Sequence, residues 1–145
     1  MSRLNPMITL AQLNTLGAGH LPGLLGMEIL AFDEGRLVAA MNVTPQHLAP
    51  NGYLHGGSVV SLADTACGYA TVLHLPEGGQ SFTTIELKTN YLGTTRDGRV
   101  VCTATARHLG KTTQVWDAEV VDETSGKTIA LFRCSNVILY PQVSS

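Results

Sequence analysis

The sequence predicts an α+β fold in which an antiparallel sheet packs against one long helix. Six segments rich in β-branched and apolar residues are bounded by turn residues. One stretch, Ser58–Leu75, has no proline, a single interior glycine and Pro76 just beyond its end, which is typical of a helix. A chain of 145 residues with 44% apolar residues forms one domain with a core, so the sheet and the helix form its layers.

The residues before the long helix predict one short helix, two strands and two loops. Gly17 ends the short helix, and the turn 33–35 joins the two strands. The segment after the strands contains two prolines and three glycines, which indicates a long loop. In chain order these elements are a helix over Met7–Gly17, a loop over His20–Gly26, strands over Met27–Phe32 and Leu37–Val43, and a loop over Thr44–Gly57.

Four further strands follow the helix, and glycine-containing turns separate the last three from their neighbours. The turns contain Asp97-Gly98, Gly110-Lys111 and Thr124-Ser125-Gly126, all of which favour hairpins. We therefore expect a single domain over residues 1–145, with loose ends at 1–6 and 141–145. The four strands are Ser81–Leu92, Arg99–Leu109, Thr113–Asp122 and Thr128–Tyr140.

The charge content is low, at 14% of residues, with a net charge of −2. Nucleic-acid binding through a basic face is excluded, because it needs an excess of Lys and Arg. So few charges leave part of the surface to be buried against copies of the same chain. We expect no membrane span and a cytoplasmic location, with Cys67, Cys102 and Cys134 as buried reduced thiols.

The helix Ser58–Leu75 is apolar or small on nearly all sides, which predicts burial by the sheet and by a second subunit. Asp64 is its one acidic residue, and no other Asp, Glu, Lys or Arg lies between Arg36 and Glu77. A buried carboxylate costs free energy unless it is paired or has a function. Asp64 is therefore either bonded to the backbone or a neighbour such as Thr65, or it acts as a general base or nucleophile.

Glycines precede this helix, in the segment Pro50-Asn-Gly-Tyr-Leu-His-Gly-Gly57. They form either a plain turn or an oxyanion site, since free N–H groups at a helix N-terminus suit a polarised carbonyl. Gly56 and Asp64 are eight residues apart, roughly 12 Å along a helix at ~1.5 Å per residue. Because that is too far for both to reach one carbonyl carbon, we expect antiparallel helices of two subunits to share the site.

The stretch from Asn51 to Ala66 resembles the hotdog-fold acyl-CoA thioesterases, in particular the PaaI-like and 4-hydroxybenzoyl-CoA thioesterase branch. It contains His-Gly-Gly followed by an acidic residue seven positions later on an apolar helix. The predicted order of elements also matches that fold, a sheet wrapped around one central helix. The resemblance implies hydrolysis of an aryl, short or medium acyl-CoA, with coenzyme A part of the substrate and no cofactor or metal.

The resemblance also implies roles for individual residues. Asp64 is the catalytic carboxylate, supplied by the partner of the subunit whose Gly56 N–H polarises the carbonyl. His55 positions the thioester or the loop, and Asn51 contacts the carbonyl or the attacking water. A strand hydroxyl positions the water, with Thr84 the better match and Thr83 the alternative. An essential dimer and an expected homotetramer follow from the same family.

Further substrate contacts are expected at Gly57, Thr65 and Gly68. Gly68 stands where some relatives have Ser or Thr, so Thr65 replaces that hydroxyl or Gly68 widens the acyl pocket. The coenzyme A phosphates are expected at Arg107 and Lys111, with Arg96 a weaker candidate; the alternative is that these are ordinary solvated charges. Four other histidines lack metal-ligand spacing and are interpreted as structural or surface residues: His20, His47, His74 and His108.

Two other functions remain open. A hotdog hydratase acting on acyl thioesters would pair a histidine with the acid, and His55 is the one histidine of the motif. A non-catalytic acyl-CoA-binding protein would bind the same ligand without releasing its thiol. Assays of enoyl-CoA absorbance and of thiol release separate these from a thioesterase.

Overall fold

The computed structural model describes residues 3–144 and confirms the predicted α+β architecture. The helices are α1 (Leu10–Leu16), α2 (Leu21–Leu24) and α3 (Gly56–Leu73), with a 3-10 turn at Pro45–His47. The strands are β1 (Met27–Asp33), β2 (Arg36–Asn42), β3 (Ser81–Tyr91), β4 (Arg99–Leu109), β5 (Thr113–Asp122) and β6 (Thr128–Leu139).

The six strands form one antiparallel sheet in the order β1-β2-β4-β5-β6-β3. Consecutive strands β4, β5 and β6 are joined by hairpins, as the turn residues predict. After α3 the chain enters the sheet at the far side of β6, so β3 is an edge strand. The sheet therefore has two edges, β1 and β3.

The long helix α3 packs on one face of this sheet and contacts all six strands. Its buried side chains join inward-facing residues of the strands in one core, which includes Leu62, Leu73, Val100 and Trp116. Each such side chain contributes about 1.5–3 kcal/mol when it leaves water. The three cysteines are free and buried in this core, as predicted.

The long helix begins and ends two residues earlier than the sequence predicts. At its start, the His55 side chain accepts a hydrogen bond from the Gly57 N–H at 2.7 Å, which caps the helix and draws both glycines into it. At its end, Pro76 disfavours helical backbone at Leu75, and the helix stops before His74. Glycine is a poor helix former, so helix propensity placed the predicted start after the Gly-Gly pair instead of before it.

The N-terminal residues make hydrogen bonds to the rest of the fold. The Asn5 N–H donates to the Leu73 carbonyl at 2.8 Å, and Arg3 Nη1 donates to the Gly110 carbonyl at 3.2 Å, so residues 3–6 are held against the fold. Helix α1 begins at Leu10 because Thr9 and Gln12 form a reciprocal cap. The predicted loop His20–Gly26 contains α2, where Pro22 occupies a first-turn position that needs no N–H.

At the other end, residues 141–144 are exposed and have no regular secondary structure. Met1, Ser2 and Ser145, which belong to the predicted loose ends, lie outside the described residues. None of the helices in residues 3–144 is long and apolar enough to cross a membrane.

Candidate active site

The His-Gly-Gly sequence forms the N-terminus of α3. His55 is the N-cap, and its Nδ1 accepts the Gly57 N–H, so in the neutral ring the proton sits on Nε2. A side chain at Gly57 would place its Cβ 2.9 Å from this Nδ1, which explains why a glycine stands there. His55 therefore shapes the helix terminus, while its Nε2–H remains available on an exposed side chain.

The Gly56 N–H is the free donor of this terminus. The Ser58 and Val59 N–H groups donate to the His55 carbonyl at 2.9 and 3.3 Å, and the Gly57 N–H is taken by the cap. Within residues 3–144 the Gly56 N–H has no acceptor. It lies at the positive end of the helix dipole, so it can donate to a carbonyl oxygen that gains negative charge.

Tyr91, at the end of β3, covers the first turn of α3. Its hydroxyl donates to the Gly56 carbonyl at 2.8 Å. A Cβ at Gly56 would lie 3.0 Å from the Tyr91 Cζ and hydroxyl oxygen, so the close approach of the ring requires glycine here. Sequence reasoning missed Tyr91, because its contact with Gly56 spans 35 residues and has no local signal.

Asp64 lies two turns further along α3 and is half-buried. Its carboxylate makes no hydrogen bond or ion pair with any residue between 3 and 144. Burial raises the pKa of this carboxyl above its ordinary value, because the charged form loses hydration. Asp64 is therefore not hydrogen-bonded to the backbone or to Thr65 within these residues. This excludes the alternative in which such a bond gives Asp64 a structural role.

Most of the positions of α3 that are not buried form a stripe along one side of the helix. They recur at intervals of three, four or seven residues, which places them on one helical face. Most are small or polar, and Asp64 is the charged member. The stripe consists of Gly57, Val60, Ser61, Asp64, Thr65 and Val72.

Two close contacts show that β3 runs antiparallel to α3. Gly56 meets Tyr91, and a Cβ at Gly68 would lie 3.1 Å from the Phe82 ring. The Phe82 ring therefore fills the space beside Gly68. One expectation from the sequence is that Gly68 widens the acyl pocket at this place. Thr65, the other candidate for this region, lies half-exposed directly after Asp64.

This alignment brings Thr84 to the level of Asp64. From Gly68 to Asp64 is one turn, ~6 Å at ~1.5 Å per residue, and from Phe82 to Thr84 is ~6.6 Å at ~3.3 Å per residue in the same direction. Thr84 pairs across the sheet with buried Asn136, so it shares the helix face of the sheet. Thr83 pairs with Val137 and lies on the opposite face.

The loop before α3 contains Asn51, and it is contacted by the predicted cation Arg96 from the β3–β4 connection. Asn51 Oδ1 accepts the Tyr53 N–H at 3.2 Å, which leaves the side-chain amide hydrogens free. The Arg96 guanidinium lies 4.2 Å from the centre of the Tyr53 ring. A positive charge thus stands beside the loop that leads into Gly56.

Arg107 lies away from this terminus. Its Nε is 3.3 Å from Asp117 Oδ2 on the face of the sheet opposite α3, where Lys88 and Arg133 also line a groove of about 520 Å³. Hydrogen bonding from Arg133 lowers the pKa of the Asp117 carboxyl. Arg107 is therefore engaged in an ion pair in this chain.

Lys111 lies in the β4–β5 hairpin, where its carbonyl accepts a hydrogen bond from Tyr140. Tyr140 packs beside Gly78, which follows the C-terminal end of α3. Gly56 is at the other end of this 18-residue helix, ~27 Å away at ~1.5 Å per residue. One chain alone does not bring Lys111 to the Gly56 N–H.

No group of three or more His, Cys, Asp or Glu side chains in residues 3–144 is placed to hold a metal ion. Two of the four histidines outside the motif, His47 and His74, are buried and hydrogen-bonded to backbone groups, which fits their predicted structural role.

The sequence profile of the thioesterase superfamily matches residues 51–129, which include the cap, Asp64 and strands β3 to β5. The chain belongs to the thioesterase superfamily. This confirms the predicted resemblance and the prediction of a hotdog-fold thioester hydrolase.

Named relatives and solved structures agree with this membership. The acyl-coenzyme A thioesterase PaaI of Escherichia coli is 42% identical over 110 residues, which cover 75% of each chain. A 1,4-dihydroxy-2-naphthoyl-CoA hydrolase of Listeria monocytogenes is 36% identical over 111 residues, covering 77% of this chain and 89% of that protein. A mutant thioesterase of Pseudomonas aeruginosa superposes with a TM-score of 0.91 at 34% identity, covering 97% of this chain and all of the other.

Proposed function

We propose that this protein hydrolyses acyl-coenzyme A thioesters at a site formed by two subunits. One observation carries the proposal. A free N–H at the N-terminus of α3 and an unpartnered, half-buried carboxylate lie on the same helix, too far apart to act on one carbonyl from a single chain. The names of the relatives, which include acyl-CoA and naphthoyl-CoA hydrolases, support coenzyme A thioesters as the substrates.

The uncovered edge of the sheet supports the second subunit. Strand β3 and the residue after it have apolar side chains open to solvent, with Ile85 and Leu92 each 61% exposed, and β3 borders the uncovered stripe of α3. Pairing of β3 with the same strand of a second copy extends the sheet across a two-fold axis. The two α3 helices then run antiparallel side by side, and two such dimers form the proposed homotetramer.

In the reaction, the Gly56 N–H of one subunit donates to the thioester oxygen. Asp64 of the other subunit takes a proton from water while the water oxygen bonds to the carbonyl carbon and the carbonyl electrons move to oxygen. When the carbonyl re-forms, the carbon–sulfur bond breaks and the sulfur takes the proton held by Asp64. The products are the free acid and coenzyme A.

The remaining residues position the substrate. His55 Nε2–H and the free amide of Asn51 stand on the loop side of the helix terminus, and the Thr84 hydroxyl faces the attacking water. Gly57 keeps the cap close, and Thr65 borders the acyl group. Arg96 lies nearest to the helix terminus of its own chain, while Arg107 and Lys111 are candidates for the phosphates of a substrate bound by the dimer.

Asp64→Asn tests the base. The amide cannot accept the proton, so kcat falls by about 10²–10⁴-fold with the fold retained. Asp97→Asn, which removes an exposed carboxylate from the β3–β4 turn, is the matched control and keeps full activity. Near-normal thiol release by Asp64→Asn on a panel of aryl- and alkyl-CoAs would falsify the assignment.

Gly56→Pro tests the donor. Proline is favoured at the first position of a helix, and the extended backbone of His55 (φ −68°, ψ 134°) suits a following proline. The Tyr91→Ala background makes room for the new ring. Relative to Tyr91→Ala alone, added Gly56→Pro lowers kcat by about 10²–10³-fold, whereas added Gly56→Ala, which keeps the N–H, does not. Equal rates for the proline and alanine variants would remove the oxyanion role.

Asp64 acting as nucleophile, through a mixed anhydride, is the alternative chemistry. A single turnover in ¹⁸O-labelled water separates the two. Direct attack by water puts the label in the acid product, whereas an anhydride cleaved at the Asp64 carbonyl leaves the label on the enzyme.

A further inference from the structure

A chain of hydrogen bonds connects the proposed water-binding hydroxyl to the interior of the protein. Thr84 Oγ1 and Asn136 Oδ1 are 3.0 Å apart, and Asn136 Nδ2 lies 2.8 Å from Thr71 Oγ1. Thr71 Oγ1 in turn lies 2.8 Å from the Cys67 carbonyl of α3. Asn136, on β6, is 1% exposed, so its amide is shielded from water.

The direction of every bond in this chain is fixed by its inner end. A backbone carbonyl can only accept, so the Thr71 hydroxyl donates to Cys67 and must accept from its other neighbour. The neighbour is therefore the NH2 group of Asn136, which turns the amide oxygen toward Thr84. The Thr84 hydroxyl has a single hydrogen, and this oxygen takes it.

We propose that Asn136 is a positioning residue, which holds the Thr84 hydroxyl so that it can only accept a hydrogen bond from the attacking water. The inference rests on the proposed function. A water molecule at the level of Asp64 and Thr84 gives one hydrogen to the carboxylate and directs the other to Thr84 Oγ1. Its lone pair is then the part of the molecule that faces the thioester carbon, and Asn136 itself touches no reacting atom.

Without Asn136, the Thr84 hydroxyl is free to rotate and to donate to the same water. The water then loses one of its two fixed acceptors and its orientation becomes random. Binding of the acyl-CoA does not depend on this orientation, so the effect falls on kcat and leaves KM unchanged.

A double-mutant cycle tests the proposal, with thiol release from an acyl-CoA as the assay. Thr84→Val and Asn136→Leu each lower kcat by roughly 10- to 100-fold with KM within about twofold. The double variant is no slower than the slower single variant, because Asn136 acts through the Thr84 hydroxyl. Thr84→Ser, which keeps the hydroxyl, restores most of kcat.

Gln114→Leu is the matched control. Gln114 is a fully buried amide that pairs with Asn136 across the sheet, and it bonds to the His74 carbonyl and Trp116 instead of to Thr84. Its substitution lowers thermal stability and keeps kcat within about threefold. Losses of kcat that multiply in the double variant, or a Gln114→Leu loss equal to that of Asn136→Leu, would show a merely structural role and overturn the proposal.

Thr71→Val provides the test if Asn136→Leu does not fold. It removes the acceptor that orients the Asn136 amide, so kcat falls in the wild-type background and is unchanged in the Thr84→Val background. Equal falls in both backgrounds contradict the inference. Asp64→Asn, measured alongside, separates the two levels: if it is inactive while Asn136→Leu and Thr71→Val are normal, the thioesterase site stands and only the role of Asn136 is lost.

Discussion

The two edge strands of the sheet, β1 and β3, differ in whether another element of the chain covers them. At the β1 edge, the side chain of Asn14 on α1 accepts the Ile29 N–H at 2.8 Å and donates to the Ile29 carbonyl at 3.0 Å. The outward polar groups of that residue are thus satisfied by a helix of the same chain. At the β3 edge no helix or strand within residues 3–144 lies beyond the strand, and apolar side chains face solvent.

An unpaired edge strand is a template for association, and proteins block it unless association is the purpose. Here the chain covers β1 at Ile29 and leaves β3 open beside the uncovered stripe of α3, where Asp64 lies. The difference places part of the exposed apolar surface of a protein with few charged residues next to its candidate chemistry. Assembly and catalysis are proposed to use the same surface.

The largest expected effect comes from breaking the β3 edge. Ile85→Lys places a charge at an exposed apolar position where two β3 strands are proposed to meet, so the dimer dissociates and activity falls by at least about a hundredfold, as for loss of the oxyanion donor. Sedimentation and thiol release measure the two effects. Ala31→Lys, on the exposed side of the β1 edge, is the control and changes neither; a monomeric Ile85→Lys variant with full activity would contradict the shared site.

A smaller effect is expected at the blocked edge. Asn14→Leu removes both bonds to Ile29 and leaves the backbone N–H and C=O of this buried residue without partners, at a cost of about 1–3 kcal/mol in the free energy of unfolding. Chemical denaturation measures the loss. We expect kcat to be unchanged, since the β1 edge has no part in the site, and a fall in kcat as large as that of Ile85→Lys would erase the contrast between the edges.

The smallest effect is the contribution of Asp64, beside the β3 edge, to the stability of the folded protein. Burial raises the pKa of Asp64 in the folded protein, so folding binds a proton and stability falls as pH rises through the window between the unfolded and folded pKa values. Above that window the charged carboxyl lowers the free energy of unfolding. Asp64→Asn should therefore raise the melting temperature at pH 7, and the gain should vanish at a pH below the ordinary pKa of aspartate.

The same titration predicts the acid limb of activity. The proposed base must be ionised, so kcat falls as pH decreases through the raised pKa of Asp64, and kcat measured against pH checks this.

Scans of melting temperature against pH for wild type and Asp64→Asn check the predicted link between the pKa of Asp64 and stability. A melting temperature that is lower for Asp64→Asn at pH 7 would show that the carboxylate is stabilised by a partner.

Much of the candidate site and of the strand boundaries could be predicted from sequence, and the reasons differ by residue. Asp64 and the His-Gly-Gly cap are local signals, because a lone acid in an apolar helix and glycines at its start are visible in the chain. The strand boundaries follow from turn residues such as those at Gly98 and Gly126. The position of β3 at the edge was not predicted, because strand order depends on long-range pairing.

Side-chain partners across the sheet were also beyond a sequence argument. Tyr91 on Gly56 and Asn136 on Thr84 join residues that are 35 and 52 positions apart. Asn14 looked like an ordinary polar position of a short helix, and only its register against Ile29 reveals the edge cap. In each case the residue type is common, and its role arises from the element that packs against it.

Each active site is proposed to take Asp64 from one subunit and the Gly56 N–H from the other. A mixed dimer tests it, made by co-expressing an Asp64→Asn chain with a Gly56→Pro/Tyr91→Ala chain and purifying through two different tags. Each parent alone lacks one component at every site. In the mixed dimer one of the two sites recovers an intact Asp64 and an intact Gly56 from different chains.

This mixed dimer should have about half of the wild-type kcat, since one of its two sites is complete. A second mixed dimer, of wild type with a chain carrying all three substitutions, should be inactive because neither site is complete. The reverse result, an inactive first dimer and a half-active second one, would rule out the shared site and place the whole site within one chain.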